Sequence, residues 1–189
     1  MTRFLSRLLS AAFISLASAP ALADDYADTV KVFEQAGVSA GFFKSAYGYA
    51  VFPSIGKAGV GVGGAYGKGR VYEMGRHVGD TSMTQLSVGL QLGGQAYSEI
   101  IFFEDQRSLR EFTSGNFEFG AGASAVAITA AASAKATTGG SSASASGGKH
   151  DAKTVGKYHK GMAVFTVAKG GLMYEASVSG QKFSYKAVK

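Results

Sequence analysis

The residue types able to do chemistry are few and thinly spread in this chain. Histidine occurs three times, as His77, His150 and His159, and cysteine not at all. No G-x-S-x-G or H-E-x-x-H run is present, so neither a nucleophile elbow nor a helical zinc pair has a basis in the sequence. His150, Asp151 and His159 lack the i, i+4 spacing that sets two ligands on one helix face, and they border a segment of very small residues. They read as solvated loop residues, and neither a metal nor a cofactor is expected. Glu104 and Asp105 stand where a helix begins, which makes them caps before it makes them an acid–base pair. The run Gly59-Val60-Gly61-Val62-Gly63-Gly64 matches G-x-G-x-x-G, but a dinucleotide site needs a helix N-terminus directly after the glycines. Tyr66-Gly67-Lys68-Gly69 supplies a turn instead. A hydrolase using His77 has no orienting partner that the sequence can name, so the chain is expected not to be an enzyme.

The lysines carry a stronger signal. Lys149, Lys153, Lys157 and Lys160 are spaced by four, four and three, so a helix over Asp151 to Lys160 would align all four ammonium groups. Like charges at that spacing each cost a helix about 0.2 to 0.5 kcal/mol, and Gly156 weakens it further. A free helix is therefore not expected. An anionic surface reverses the sign, at about 1 kcal/mol per lysine near an acidic membrane, and the other reading is a solvated basic loop. Four lysines give only about 4 kcal/mol, a millimolar-class attraction, so Phe42, Phe43 and Lys44 are candidates to supplement it. An inserted phenylalanine contributes about 1.5 to 3 kcal/mol. The competing reading packs both rings on the sheet as part of a short helix.

Charge is unevenly distributed. Between Asp24 and Ala134 there are 8 Lys or Arg and 11 Asp or Glu, whereas Lys135 to Lys189 holds 9 Lys and 2 acids. That asymmetry points to an anionic partner.

The elements that must position these residues are mostly strands. Asp24 to Gln35 reads as a helix, with acids at its start and Tyr26, Val30 and Phe33 at helical spacing. Ser39 is a candidate cap for a second short turn. Tyr49 to Phe52 is a strand that Pro53 is expected to end. Ala58 to Arg70 alternates with period two, then turns through Gly67 to Gly69 as a hairpin, and its glycine face invites a partner ring or a close backbone. In Thr84 to Gly93 the alternation puts Leu86, Val88, Leu90 and Leu92 on one face of a half-buried strand. Gly93 and Gly94 are expected to separate it from a central strand, Ala96 to Phe103. Asp105 to Thr113 is a short helix burying Leu109 and Phe112 and closed by Gly115. Phe117 begins a possible strand of small residues through Thr129. Further strands follow at Met162 to Val167, Leu172 to Ser179 and Lys182 to Lys186. The fold class is α+β: one β-rich domain, a mainly antiparallel twisted sheet or partly closed barrel, with short peripheral helices at the N-terminus and near 105–113.

Residues 1–23 have signal-peptide grammar, with Arg3 and Arg7 before an apolar run and a small-residue ending, and cleavage is expected after Ala23. Removing 23 of 189 residues leaves 166, one domain of ordinary size. The apolar run is too short to span a bilayer, and without cysteine there is no site for lipidation. Periplasmic or outer-membrane-associated location follows. Residues 130–148, almost wholly Ala, Ser, Gly and Thr, are expected to form a mobile loop.

Four stretches in order, YAVFPSIGKAGVGVGGAYGKG from Tyr49, LSVGLQLGGQAYSEIIFFED from Leu86, SLREFTSGNFEFGAGASAVA from Ser108 and KGGLMYEASVSGQKFSY from Lys169, resemble the SYLF family. The resemblance implies a compact β-rich domain with peripheral helices. For the eukaryotic members it implies binding to phosphoinositides, and sometimes actin, through basic and amphipathic surface. Lys57 and Lys68 are the lysines that lie within matching motifs. With an exported chain, the expected partner becomes acidic phospholipid or another anionic envelope component at the membrane periphery, and neither nucleic acid nor actin. The second architecture in view is an integral outer-membrane or structural β-protein, suggested by the glycine-rich alternating strands.

Overall fold

The computed structural model describes residues 24–120, 123, 125–128, 157–170 and 178–189. The sequence expectations for 1–23, 130–148, Lys149, Lys153 and most of Leu172 to Ser179 lie outside them. Helix α1 (Asp25–Gln35) is capped by Asp24, whose carboxylate accepts from the Tyr26 N–H. A four-residue turn of helix, α2 (Phe42–Ser45), follows. Its cap is Gly41, because the Ser39 hydroxyl is buried and donates back to the Phe33 carbonyl at 2.6 Å.

Two very long strands come next, β1 (Gly48–Glu73) and β2 (Arg76–Phe103), paired antiparallel throughout. Pro53 does not end β1. It sits at a bulge between Phe52 and Ile55, where the ladder asks for no N–H from it, and its carbonyl accepts from the Ser98 hydroxyl at 2.7 Å. The turn is not at Gly67 to Gly69 but at Met74 and Gly75, with φ of 49° and 80°, a geometry that matches the twist of the flanking strands. Gly93 and Gly94 likewise stay inside β2, paired with Gly59 and Ala58.

Helix α3 (Gln106–Phe112) opens on a capping box in which the Asp105 carboxylate accepts from the Ser108 N–H at 2.8 Å. Leu109 and Phe112 are buried as expected. The predicted strand of small residues resolves into two short pieces, β3 (Phe117–Glu118) and β4 (Val126–Ile128), before β5 (Met162–Gly170) and β6 (Gln181–Ala187). The order β3-β6-β2-β5-β4, with β1 also on β2, gives a curled half-barrel in which only the β4–β5 pair is parallel among the described strands. β2 is the spine. Its first half carries β6 and its second half carries β5.

The sheet closes because β1 folds back over itself. A Cβ on Gly67 would stand 3.1 Å from the Ser54 carbonyl oxygen and 3.3 Å from the Ile55 Cα. One on Gly69 would meet the Phe52 ring at 2.6 Å. The ring falls on Gly69, which the sequence placed in a turn, whereas in the alternating glycine face a Cβ on Gly59 would meet the Gly63 backbone. The interior thus formed holds Phe52, Ile55, Met83, Ile101, Phe103, Phe112 and Phe183. A second cluster lies on the outer face, where α1 and α2 press Phe33, Ala36 and Phe42 against Val51, Ile100, Phe102 and Phe165. An interior packed with apolar side chains, under an outer face that α1 and α2 cover in part, differs from a lipid-embedded barrel with a polar lumen.

Inward positions along β2 are odd-numbered at both ends: Thr81, Met83 and Gln85, then Tyr97, Glu99, Ile101 and Phe103. Leu86 is consequently outward and 85% exposed, and Gln85 is buried, which corrects the expected assignment of faces at that point. Gln85 is tolerated inside because its side-chain amide donates to the Ser179 carbonyl at 3.0 Å.

Overpacking of a filled core costs about 1 to 3 kcal/mol, so at about 2 to 4 °C per kcal/mol for a domain of this size Gly69→Ala is expected to lower Tm by about 2 to 12 °C. Gly56→Ala, with no atom within 4 Å of the new Cβ, should leave it within about 2 °C. Thermal unfolding followed by circular dichroism reads both.

Candidate functional site

Two places in the structure have the chemistry to be a site, one buried and one exposed. The buried one centres on Glu99, inward-facing on β2 and fully enclosed. Gln181 of β6 donates through Nε2 to Glu99 Oε2 at 3.1 Å and to the Tyr97 hydroxyl at 3.4 Å. Glu99 Oε1, Gln181 Oε1 and the Thr166 hydroxyl have no hydrogen-bond partner among the described residues. Desolvation raises the Glu99 pKa from 4.5 to about 7, against the lowering effect of the Gln181 hydrogen bond. Burial also pushes the Tyr97 phenol up. A perturbed carboxyl is a common mark of an active site, but this one is fully buried, opposite Phe52 on the neighbouring strand. It is a polar inclusion in the core that keeps its proton below about pH 7.

The exposed place is basic. Lys44 ends α2, and Phe42 stacks on Phe102 at 5.4 Å and meets the Tyr158 ring edge-on at 5.2 Å. The segment starting at Lys157 therefore lies beside α2, as the combination of these residues in one site requires. Lys157 and Lys160 are exposed. They do not share a helix: Lys160 has φ of 51° in a tight turn with Gly161, closed by hydrogen bonds between His159 and Met162. Phe42 is buried and Phe43 is half-buried against Tyr49 and Phe102, so the packing reading of these rings is the one realised. Lys57 and Lys68 lie apart, on β1 opposite Gln95 and Ser82. Beside Lys160 opens a cavity of about 140 Å³ floored by Phe117, Phe119, Met162 and Val164 and rimmed by Glu111 and His159.

The histidines assemble no catalytic group among the described residues. His77 does have a carboxylate partner that sequence reasoning missed, Asp80 at 3.1 Å, three residues along the same strand. The same ring nitrogen also faces the Gly79 carbonyl, and no serine hydroxyl is bonded to the ring. No three His, Asp or Glu side chains among the described residues converge as for a metal. The glycine run is strand, with no helix after it to receive a pyrophosphate. No helix among the described residues is long and apolar enough to cross a membrane.

Among the described residues the protein is a curled sheet with exposed lysines at α2 and at the entry to β5. The family model described as Las17-binding protein actin regulator (Ysc84) matches residues 84–187, the stretch from β2 to the end of β6. The chain belongs to this family, the SYLF family, a family of binding domains whose eukaryotic members bind lipids and actin. No curated protein matches the chain.

The Glu99 carboxyl makes stability pH-dependent with a definite sign. Its folded pKa is raised, so its contribution is whole below about pH 4.5 and is lost as pH rises to about 7, a change on the order of 3 kcal/mol. Above that the contribution is flat. Glu99→Gln should remove this slope, so that relative to the native chain it is more stable at pH 8 than at pH 4.5 by about that amount, as read by urea unfolding at the two pH values.

Proposed function

We propose that the protein is a non-enzymatic lipid-binding module of the bacterial envelope, which contacts acidic phospholipid headgroups through a basic surface. The observation that carries this reading is the lysine excess of the C-terminal third, 9 Lys against 2 acids, in a chain of a lipid-binding family. Lys44, Lys157 and Lys160 are exposed around α2 and the β5 entry, and Lys149 and Lys153 precede them in sequence. Lysine suits this role because its ammonium is a mobile point charge that follows headgroups without a fixed geometry. The signal-peptide grammar of residues 1–23 supports export and cleavage after Ala23, with a periplasmic or outer-membrane-associated location. In that compartment the anionic ligands within reach are phospholipids and other acidic envelope components.

Binding of this kind is salt-sensitive, since exposed charges are screened over about 10 Å at 0.1 M salt. In co-sedimentation with anionic vesicles at low salt, the protein is expected to pellet, and to do so much less at 0.5 M salt. Changing Lys149, Lys153, Lys157 and Lys160 together to Glu should reduce the bound fraction at least tenfold, given about 1 kcal/mol per lysine near an acidic surface. Native-level binding by that variant would remove these lysines from the site, and failure of the native chain to bind would remove the function.

A further inference from the structure

The outer face of the sheet is only partly covered. Helix α1 lies along it from Gln35, near the Phe42 cluster, to its N-terminal cap Asp24, which is held by Arg70 at 3.2 Å. Arg70 also stacks on the Tyr26 ring at 4.1 Å. Beyond Arg70 the strands continue with no helix over them among the described residues. In that uncovered part, Gly64 is opposite Leu86, and Val62 and Tyr66 flank Gly64 on the same face. Leu86 is 85% exposed, Val62 65% and Tyr66 51%. The cross-strand and diagonal spacings of a sheet bring the three side chains into one apolar patch around a glycine that leaves them room.

Cations line one side of the patch. From Leu86 toward Arg70, the outward rows of the sheet set Lys182 beside Thr84 and Tyr66, then Lys68 beside Ser82, and last Lys186 beside Asp80 in the row of Arg70 itself. Lys182 is paired with Glu118 at 3.4 Å, but Lys68 and Lys186 have no ion pair among the described residues. Three exposed apolar side chains beside unpaired lysines fit the boundary of an anionic bilayer, where apolar tips enter the acyl region, a tyrosine ring sits at headgroup level and lysines meet phosphate.

We propose that this face, Val62, Tyr66 and Leu86 with Lys68 and Lys186, docks onto the surface of an anionic lipid bilayer, with the apolar side chains inserted. The proposal rests on the lipid-binding reading above and adds to it an insertion surface on β1, β2 and β6, separate from the lysines around α2. Binding then combines charge with apolar insertion, which is what a headgroup attraction of millimolar class lacks on its own.

Flotation with vesicles of phosphatidylglycerol and phosphatidylcholine tests it. The double variant Val62→Glu with Leu86→Glu should lose at least tenfold in vesicle affinity, and Lys68→Glu with Lys186→Glu should lose binding that added salt also removes. Met74→Glu, an apolar residue 78% exposed at the β1–β2 turn, should bind as the native chain does. Since all five positions are exposed or form no core contact, an unchanged unfolding temperature is the check that each variant is folded. Native binding with an unaffected Val62/Leu86 variant overturns the insertion face and leaves the lipid-binding reading standing. No binding by the native chain overturns both. Loss of self-association in the Val62/Leu86 variant, with vesicle binding intact, would assign the face to a second copy and overturn the proposal.

Discussion

Everything in this structure depends on how closely β1 can approach itself. The second half of the strand crosses the first where Gly67 and Gly69 lie under Ile55 and Phe52, at distances that admit no Cβ. Without that contact the β1–β2 ribbon would be a long two-stranded hairpin, which is marginal in water by itself. With it, the ribbon curls and the phenylalanines of α3, β3 and β6 fill the space enclosed. Phe183 alone meets Phe52, Phe112, Phe117 and Phe119. Once Phe52, Ile101 and Phe103 are committed to the inside, strand alternation decides the direction of the neighbours on both strands, since a one-residue slip would expose the whole inner set.

That commitment creates the two unusual features of the molecule. It turns Glu99 into the interior, where the carboxyl is tolerated as its protonated form beside Gln181 and Tyr97. It also turns Leu86, Val62 and Tyr66 out to solvent, beyond the reach of α1. The first is buried and acts on stability. The second is open and borders lysines, so the chemistry available to a partner lies on the surface and consists of charge and apolar area.

Much of the architecture was legible in the chain. The acidic start of α1, the α3 cap at Asp105, the buried Leu109 and Phe112 and the central strand ending in Phe103 follow from local rules of helix ends, capping and periodicity. The glycine-rich face of β1 announced a close approach. Its partner was hidden, because Phe52 and Ile55 reach Gly69 and Gly67 only after the ribbon bends. Pro53 and the Gly93-Gly94 pair carry strong local signals for strand ends, yet a bulge and continuous cross-strand pairing override them. Leu86 was assigned with the apolar residues that follow it in alternation, and its exposure is set by the parity of residues near Tyr97 and Phe103, ten or more positions away. The lysines were visible as a compositional bias. Which of them share a surface is a matter of the turn at Lys160 and the pairing of β6 with β2, and neither is written in their spacing.

The chain has no cysteine, so a single thiol can be placed at will. An environment-sensitive fluorophore on Leu86→Cys, compared with the same probe on the exposed Ser114→Cys, reports directly whether the uncovered sheet face enters lipid. The expected result is a blue-shifted, brighter emission from position 86 on adding anionic vesicles and an unchanged spectrum from position 114. A probe at position 86 that stays in water while the protein is bound to the vesicles would contradict it.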